Sequence, residues 1–252
     1  MIKRHFLGLS LVAAAGLSAC DSNSTPGTAP GMGALQVINA ISDSQPIDAT
    51  VENVPTSLNN IAFTSASGFQ DIPDGSYKVQ LSSNYNGTNV EFTADNVSID
   101  HNNQTLVFAV GTFGASTQGA LVVEDSVANI PSDTAQVQFI DVAGAGGTIE
   151  LLQPGTSTVV AQATLQPAVT AIKADPTKAY SQLQPVPPGN YEVVITYSGV
   201  KVFDSGATGV PIGGGVVQRF VVFNDVNVGD GSAIQVWLYD SQNNKTQIQP
   251  GA

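Results

Sequence analysis

The stretches IPDGSYKVQLS (72–82) and VPPGNYEVVIT (186–196) share one pattern, and this pattern decides the fold class. In each, an apolar residue and a proline precede a glycine, and a tyrosine follows the glycine by two positions. Proline and glycine favour a tight turn. Apolar residues then occupy every second position, which is typical of a strand with one buried face. Both stretches therefore predict a turn that leads into a half-buried strand.

Three more segments occur twice in the same order, which indicates an internal repeat. The pairs are LQVINAI (35–41) with VQFIDVA (137–143), QTLVFAV (104–110) with VQRFVVF (217–223), and LVVEDS (121–126) with VWLYDS (236–241). Short strands with Gly, Pro and Asn turns, in units of about 100 residues, are typical of immunoglobulin-like β-sandwiches. We therefore predict an all-β protein with two tandem immunoglobulin-like β-sandwich domains, and we expect the halves to fold independently. The alternative is one continuous closed sheet, which the repeat makes less favourable.

The repeat and the composition together predict the domain boundaries. The stretch DSNSTPGTAPGMG (21–33) is rich in Ser, Thr, Pro and Gly and has no apolar periodicity, which is typical of a flexible tether. The predicted parts are a leader over 1–19, a tether over 20–33, a first β-sandwich over 34–128, a second β-sandwich over 133–242 and a C-terminal tail over 243–252.

The start of the chain has the features of a secretory leader. Lys3 and Arg4 precede an uncharged apolar run over residues 6–16. This run is shorter than the roughly 20 residues that a spanning helix needs, and it has the length of the apolar region of a signal peptide. The chain is therefore predicted to be exported.

Cys20 is the single cysteine of the sequence and ends the motif LSAC (17–20). This motif resembles the bacterial lipobox, and the resemblance implies cleavage before Cys20, a diacylglycerol on its thiol and a further acyl chain such as palmitate. The alternative is an ordinary signal peptide with an unrelated cysteine. Asp21 resembles the inner-membrane retention signal of enteric lipoproteins, but other lineages sort differently, so inner and outer membrane stay as alternatives.

Charge and composition restrict the partners. The sequence has 8 Lys and Arg against 20 Asp and Glu, a formal net charge of −12. Nucleic acid is excluded as an expected partner, because phosphate binding requires a basic patch. The expected contact with the membrane is therefore the lipid anchor at Cys20. No cysteine remains for a disulfide, so each domain depends on its hydrophobic core.

The first unit resembles the bacterial family called domain of unknown function 4397 (DUF4397). The matching positions are Asn39, Ala40, Ser42, Asp43, Pro46 and Asp48, followed by Pro73, Asp74, Gly75 and Tyr77. The second copy keeps the turn at Tyr191, but DVAGAGGTIELL (141–152) lacks the Ser-Asp-Pro-Asp positions. The resemblance implies tandem Ig-like domains on exported, often lipid-anchored proteins, and it implies no activity.

Residues for catalysis or metal binding are sparse in this sequence. His101 lies in a polar turn, and His5 is removed with the leader, so no Cys and His set for zinc can form. No G-x-S-x-G or G-x-G-x-x-G motif is present. We therefore predict a protein that is not an enzyme, with no catalytic residues, no metal and no cofactor. The alternative is a hydrolase with unrecognised carboxylates.

Two groups of carboxylates require a separate interpretation. Asp225, Asn227 and Asp230 in DVNVGDG (225–231) have a superficial similarity to a calcium loop, but no glutamate closes it. A hairpin turn explains these residues more simply, and calcium binding is the alternative. Asp43 and Asp48 are interpreted as turn and strand-edge residues.

Four aromatic residues are singled out. Tyr77 and Tyr191 are predicted to be structural, each with its hydroxyl bonded to nearby backbone, because a buried tyrosine needs a partner. Trp237 and Tyr239 alternate with aliphatic residues in AIQVWLYDS (233–241), so they are expected on the outer face of a strand. They form a predicted binding face for an envelope glycan or a protein partner. The alternative is that this face packs against the first domain, the tail or a loop.

These observations predict a lipid-anchored protein of the bacterial cell envelope, on the periplasmic or cell-surface side of a membrane, with a non-catalytic binding or structural role. The first alternative is a carbohydrate-binding or adhesive module that uses the outer aromatic face. The second is the hydrolase.

Overall fold

A computed structural model describes residues 31–127, 129–143, 146–224 and 234–251. The leader, Cys20, the tether up to residue 30 and the DVNVGDG loop lie outside these residues, so the predictions for them stay predictions.

The described part of the first unit consists of eight strands. In chain order they are β1 (Met32–Asn39), β2 (Ile47–Val51), β3 (Val54–Ile61), β4 (Gln70–Pro73), β5 (Gly75–Tyr85), β6 (Thr88–Ile99), β7 (Asn103–Val110) and β8 (Gly119–Ser126). They form two sheets with the orders β4-β1-β7-β8 and β3-β2-β5-β6. β1 and β7 are parallel, with Val37 opposite Val107, and the other pairs are antiparallel.

The second unit repeats this arrangement with additions. Its elements are β9 (Ala135–Asp141), β10 (Gly147–Leu152), β11 (Val159–Leu165), the helix α1 (Ala168–Ala174), a 3₁₀ turn (Pro176–Ala179), β12 (Gln184–Val186), β13 (Gly189–Tyr197), β14 (Val200–Asp204), β15 (Val210–Ile212), β16 (Val217–Asn224), β17 (Ile234–Asp240) and β18 (Lys245–Ile248). The sheet orders are β12-β9-β16-β17-β18 and β11-β10-β13-β14, with β15 paired to β13. β9 and β16 are parallel, as β1 and β7 are.

The four sheets stack as outer, inner, inner and outer layers. Each unit is a sandwich with its own apolar core, which includes Leu35, Val37 and Leu81 in unit 1 and Phe139, Val193 and Phe220 in unit 2. The prediction of an all-β protein with two tandem β-sandwiches is therefore confirmed, and the alternative of one continuous closed sheet is wrong.

A third core lies between the two units, and we call this contact the joint. It contains Ile38, Leu106 and Phe108 of unit 1 and Ile140 and Val221 of unit 2, all fully buried. The inner strands are consequently buried on both faces. This explains why LVFAV (106–110) and FVVF (220–223) are continuous apolar runs rather than alternating patterns.

The units exchange loops across the joint in a reciprocal way. Phe63 in the β3–β4 loop of unit 1 makes an edge-to-face contact with Phe223 of unit 2, with ring centroids 6.0 Å apart. From unit 2, α1 packs on β8, where Ile172 occupies the space that a side chain at Gly119 would need. Isolated β-bridges at Ile38–Ala66 and Ile140–Tyr180 occupy equivalent positions. The two units thus form an approximately two-fold pair within one chain.

The structure changes two details of the predicted boundaries. The region predicted as a C-terminal tail contains β18, whose residues pair with β17 from Tyr239–Lys245 to Val236–Ile248. Beyond it, Gly251 donates its backbone N–H to Asp204 O at 2.8 Å, which joins the chain end to β14. At the other boundary β1 starts at Met32, within the predicted tether.

The shared joint predicts cooperative unfolding of the whole body. In an isolated half, the joint residues would face water, and burial of each large apolar side chain contributes about 1.5–3 kcal/mol. Far-UV circular dichroism and the fluorescence of Trp237, the single tryptophan, are therefore expected to report one coincident urea transition.

Two separate transitions would contradict this coupling and would support the expected independence of the halves. The fragments 31–128 and 129–252 provide the control, because each is expected to be far less stable than the full body.

Candidate functional site

The two turn tyrosines hold their turns together. Tyr77 donates its hydroxyl to Pro73 O at 2.8 Å, and Tyr191 donates to Pro187 O at 2.7 Å. Both bonds reach back four residues across the Pro-x-Gly turn. This is the backbone bond expected for a structural tyrosine, and burial raises the pKa of Tyr191.

Removal of these hydroxyls is expected to lower stability unequally. Tyr191→Phe should reduce the free energy of unfolding by about 1 kcal/mol, because its carbonyl partner loses a partly buried bond. Tyr77→Phe should have a smaller effect, because the Tyr77 bond is exposed to water. Urea denaturation of both variants measures the difference, and equal losses would contradict the structural interpretation.

The predicted turn carboxylates and the turn histidine bind backbone. Asp43 accepts from Phe113 N at 3.0 Å and from Gly114 N at 2.8 Å, so it holds the β7–β8 loop. Asp48 accepts from Asn60 N at 2.7 Å. His101 Nδ1 accepts from Gly31 N at 3.3 Å, where the chain enters β1.

The strand ends of β1 and β9 carry equivalent polar residues, of which sequence analysis named Asn39 as a matching position but gave Asp141 no role. Asn39 accepts from Ile41 N, and Asp141 accepts from Ala143 N, both at 2.9 Å. Asp141 also accepts from Gly146 N at 3.1 Å. Thus the second copy uses a single carboxylate to hold the hairpin in which the Ser-Asp-Pro-Asp positions are missing. Alignment of INAI (38–41) with IDVA (140–143) places Asn39 and Asp141 at the same position and could have shown this equivalence.

Trp237 and Tyr239 do not form one open face. Tyr239 is only 3% exposed and lies in the joint, where its hydroxyl donates to Thr64 O of unit 1 at 2.6 Å. Burial raises its pKa. Trp237 is half-buried at the rim, with Lys245 Nζ 4.9 Å from its ring centroid. The predicted outer face is therefore largely covered by unit 1 and β18, which corrects the expected exposure of this pair.

The sequence alignment of β8 with β17 is offset by one residue from the structural one, and this offset explains part of the wrong prediction for Tyr239. Leu106 and Arg219 are equivalent positions of the repeat. Strand pairing places Val123 opposite Leu106 and Tyr239 opposite Arg219. Tyr239 is therefore equivalent to Val123, and not to Glu124 as the alignment of LVVEDS with VWLYDS indicated. Because side chains alternate along a strand, a shift of one residue exchanges the two faces. In both units this strand thus presents apolar residues to the joint.

A buried ion pair crosses the joint. Arg219 is fully buried, and both its Nε and Nη2 lie 3.3 Å from Asp125 Oδ2 of unit 1. Gln104 Oε1 accepts from both terminal nitrogens at 3.3 Å, and Gln138 donates to Asp125 Oδ1 at 2.9 Å. Sequence analysis did not single out Arg219, although a lone arginine inside VQRFVVF was a visible signal.

Burial acts against both charges of this pair. It raises the pKa of Asp125, with Arg219 acting in the opposite direction, and it lowers the pKa of Arg219, with Asp125 opposing. A guanidinium keeps its proton in proteins, so the arginine requires its acceptors. The pair therefore favours the one docking of the units that supplies them.

Removal of one partner should be strongly destabilising. Asp125→Asn keeps the shape but leaves a buried charge unpaired, so a loss of about 3–5 kcal/mol in the free energy of unfolding is expected. The double variant Asp125→Asn/Arg219→Leu, which gives unit 2 the residue found at Leu106, should recover much of this loss. Chemical denaturation measures both.

The matched control is Asp74→Asn, an exposed carboxylate for which the change should stay within about 0.5 kcal/mol. If Asp125→Asn were as mild as this control, the ion pair would have no role in docking.

Two open clefts lie beside the 3₁₀ turn, next to the joint. One, of about 470 Å³, is lined by β11, the 3₁₀ turn and β12, and includes Gln162, Thr164 and Gln184. The other, of about 510 Å³, is lined by β6, β8 and Pro176, and includes Thr93, Asn96 and Glu124. Tyr180 lines both clefts, so we call them together the Tyr180 groove.

Across the described ranges, no three His, Cys, Asp or Glu residues are grouped so that they could hold a metal ion. Of the helices in this part of the chain, none has the length and apolar character needed to cross a membrane.

The first unit matches the model of a known protein family. The all-β sandwich with its Pro-x-Gly-x-Tyr turn matches the family described as "Domain of unknown function (DUF4397)" over residues 33–152. This part of the chain is therefore similar to that family. The match covers unit 1 and the first two strands of unit 2.

No curated protein matches the chain. Among solved structures it is similar to the tip fimbrial protein Mfa3 from Porphyromonas gingivalis with C-terminal truncation, at 10% identity and a TM-score of 0.28, over 83% of this chain and 99% of that one. It is also similar to a candidate cell adhesion protein from Bacteroides uniformis, at 14% identity and a TM-score of 0.25, over 83% and 97%. TM-scores at this level do not define a shared overall fold.

Proposed function

We propose that this protein is a non-catalytic binding protein of the bacterial cell envelope, held to a membrane by lipid on Cys20. Its two sandwiches act as one rigid body that presents binding surfaces to the envelope. The observation that carries the proposal is the joint, because a shared core fixes both units relative to the point where the tether enters.

The direction of the strands supports a display role. β1 starts beside Gly31, and its eight residues extend about 25 Å. Residues 40–46 therefore lie at the end far from the tether. Because β7 is parallel to β1, residues 111–118 lie at the same far end. One small cleft at this end is lined by residues of both units, among them Ala40, Thr112, Val142 and Asn224. Both units therefore contribute to the surface that points away from the tether.

The use of the carboxylates favours binding over hydrolysis. Asp43, Asp48 and Asp141 accept backbone N–H bonds, and Asp125 pairs with Arg219. Each of these side chains has a structural partner that a role in acid–base chemistry would have to displace. The second candidate function, a carbohydrate-binding module, is favoured by the Tyr180 groove rather than by Trp237.

The anchor is tested with Cys20→Ser and the control Ser22→Ala, which leaves the LSAC motif intact. The wild-type protein and the control should partition into the detergent phase of a Triton X-114 extraction. Cys20→Ser should move to the aqueous phase, because two or more acyl chains supply the stable anchoring.

Membrane partition of Cys20→Ser equal to that of the control would contradict the anchor. The soluble Cys20→Ser protein, bound to beads, then tests binding: specific retention of a glycan or protein from its own envelope is expected, and retention of nothing would contradict the binding role.

A further inference from the structure

The Tyr180 groove crosses the boundary between the two units. On one side lies β11 with exposed Gln162 and Thr164, and exposed Gln166 directly follows the strand. On the other side lies β6 of unit 1, with exposed Thr93 and Asn96. Tyr180 lies between them and is fixed through its backbone bridge to Ile140. The 510 Å³ cleft therefore takes its lining from both units, whereas the 470 Å³ cleft is lined by unit 2 alone.

The floor of the groove is built by side chains that bind backbone. Gln184 Nε2 donates to Gln162 O at 2.9 Å, and Gln184 Oε1 accepts from Gln162 N at 3.3 Å. These two bonds connect the edge strand β11 of the outer sheet to β12 of the inner sheet. The wall that carries Gln162 and Thr164 is consequently held in place.

The lining is polar but carries little unpaired charge. Lys178 lies 3.9 Å from Asp175, and Asp95 lies 3.7 Å from Lys78. Partial burial raises the pKa of Glu124. A net charge of −12 for the chain disfavours an anionic polymer. The groove thus suits an uncharged ligand rich in hydrogen-bonding groups.

We propose that the Tyr180 groove binds a segment of an uncharged polysaccharide. Sugar hydroxyls both donate and accept, as do the amides of Gln162, Gln166 and Asn96 and the hydroxyls of the groove threonines. Tyr180 supplies an aromatic surface on which the apolar C–H face of a sugar ring packs. Two clefts of about 470 and 510 Å³ accommodate several sugar units. This inference rests on the proposed binding function and names its ligand class and site.

The test uses the full-length Cys20→Ser protein and gel affinity electrophoresis with four neutral polysaccharides: a β-glucan, an α-mannan, a galactomannan and the neutral glycan fraction of its own envelope. Alginate is the anionic comparison. The protein with an unaltered groove should be retarded in its migration by at least one neutral polymer and should not be retarded by alginate. Gln162→Ala/Gln166→Ala should weaken that binding about tenfold, because two exposed hydrogen-bonding groups are lost.

The matched control is Gln153→Ala/Gln247→Ala, which removes two exposed glutamines outside the groove and should leave binding unchanged. Tyr180→Phe keeps the ring and should bind within about threefold of wild type, whereas Tyr180→Ala should lose binding. Because Tyr180 also packs at the joint, the thermal midpoint of each variant is measured, and the glutamine pair keeps the test valid if Tyr180→Ala unfolds.

Three results would overturn the inference: no retardation by any neutral polymer, equal retardation of the groove and control variants, or preferred binding of alginate. If the groove variants still retained an envelope protein or glycan on beads, the inference would fail while the proposed binding function would stand.

Discussion

Burial of the inner sheets on both faces is the constraint on which this molecule depends. β1, β7, β9 and β16 have an apolar core on one side and the joint on the other. Parallel strand pairs are commonly covered on both faces, and here the cover of each inner sheet is the inner sheet of the other unit. Neither unit can expose that face to water without exposing a contiguous apolar surface, which soluble monomers rarely do. The chain therefore has two sandwiches but one body.

The surfaces relevant to function follow from this constraint. The far end combines loops of both units, and the 510 Å³ cleft takes one wall from β6 and β8 and another from Pro176 and Tyr180. A hinge between the units would separate these walls. The reciprocal loops act against such a hinge: Thr64 of unit 1 accepts bonds from Tyr239 and Lys245 of unit 2, while α1 of unit 2 covers β8 of unit 1. A geometry fixed in advance lowers the entropic cost of binding.

Local patterns in the sequence predict the turns, the alternating strands and the sandwich cores, because these depend on residues close in the chain. The Pro-x-Gly-x-Tyr turns and the inward Val236 and Leu238 are examples. The joint is harder to predict, since its continuous apolar strands carry no alternation that shows which face meets which partner. Helix α1 has seven residues, too few for a clear helical period. The 510 Å³ cleft combines Thr93 of unit 1 with Pro176 and Tyr180 of unit 2, which only the docked units bring together.

The replacement of Leu106 by Arg219 shows what a duplicated chain can do that a pair of identical subunits cannot. In a symmetric homodimer every substitution occurs twice, once on each side of the axis. A guanidinium at this position would then occur twice and need two carboxylates, and unit 2 itself carries Ser241 where unit 1 has Asp125. In one continuous chain the two copies diverge separately, so one copy holds the cation and the other holds the anion. The contact between the units is therefore asymmetric in charge, with the cation on unit 2 and the anion on unit 1.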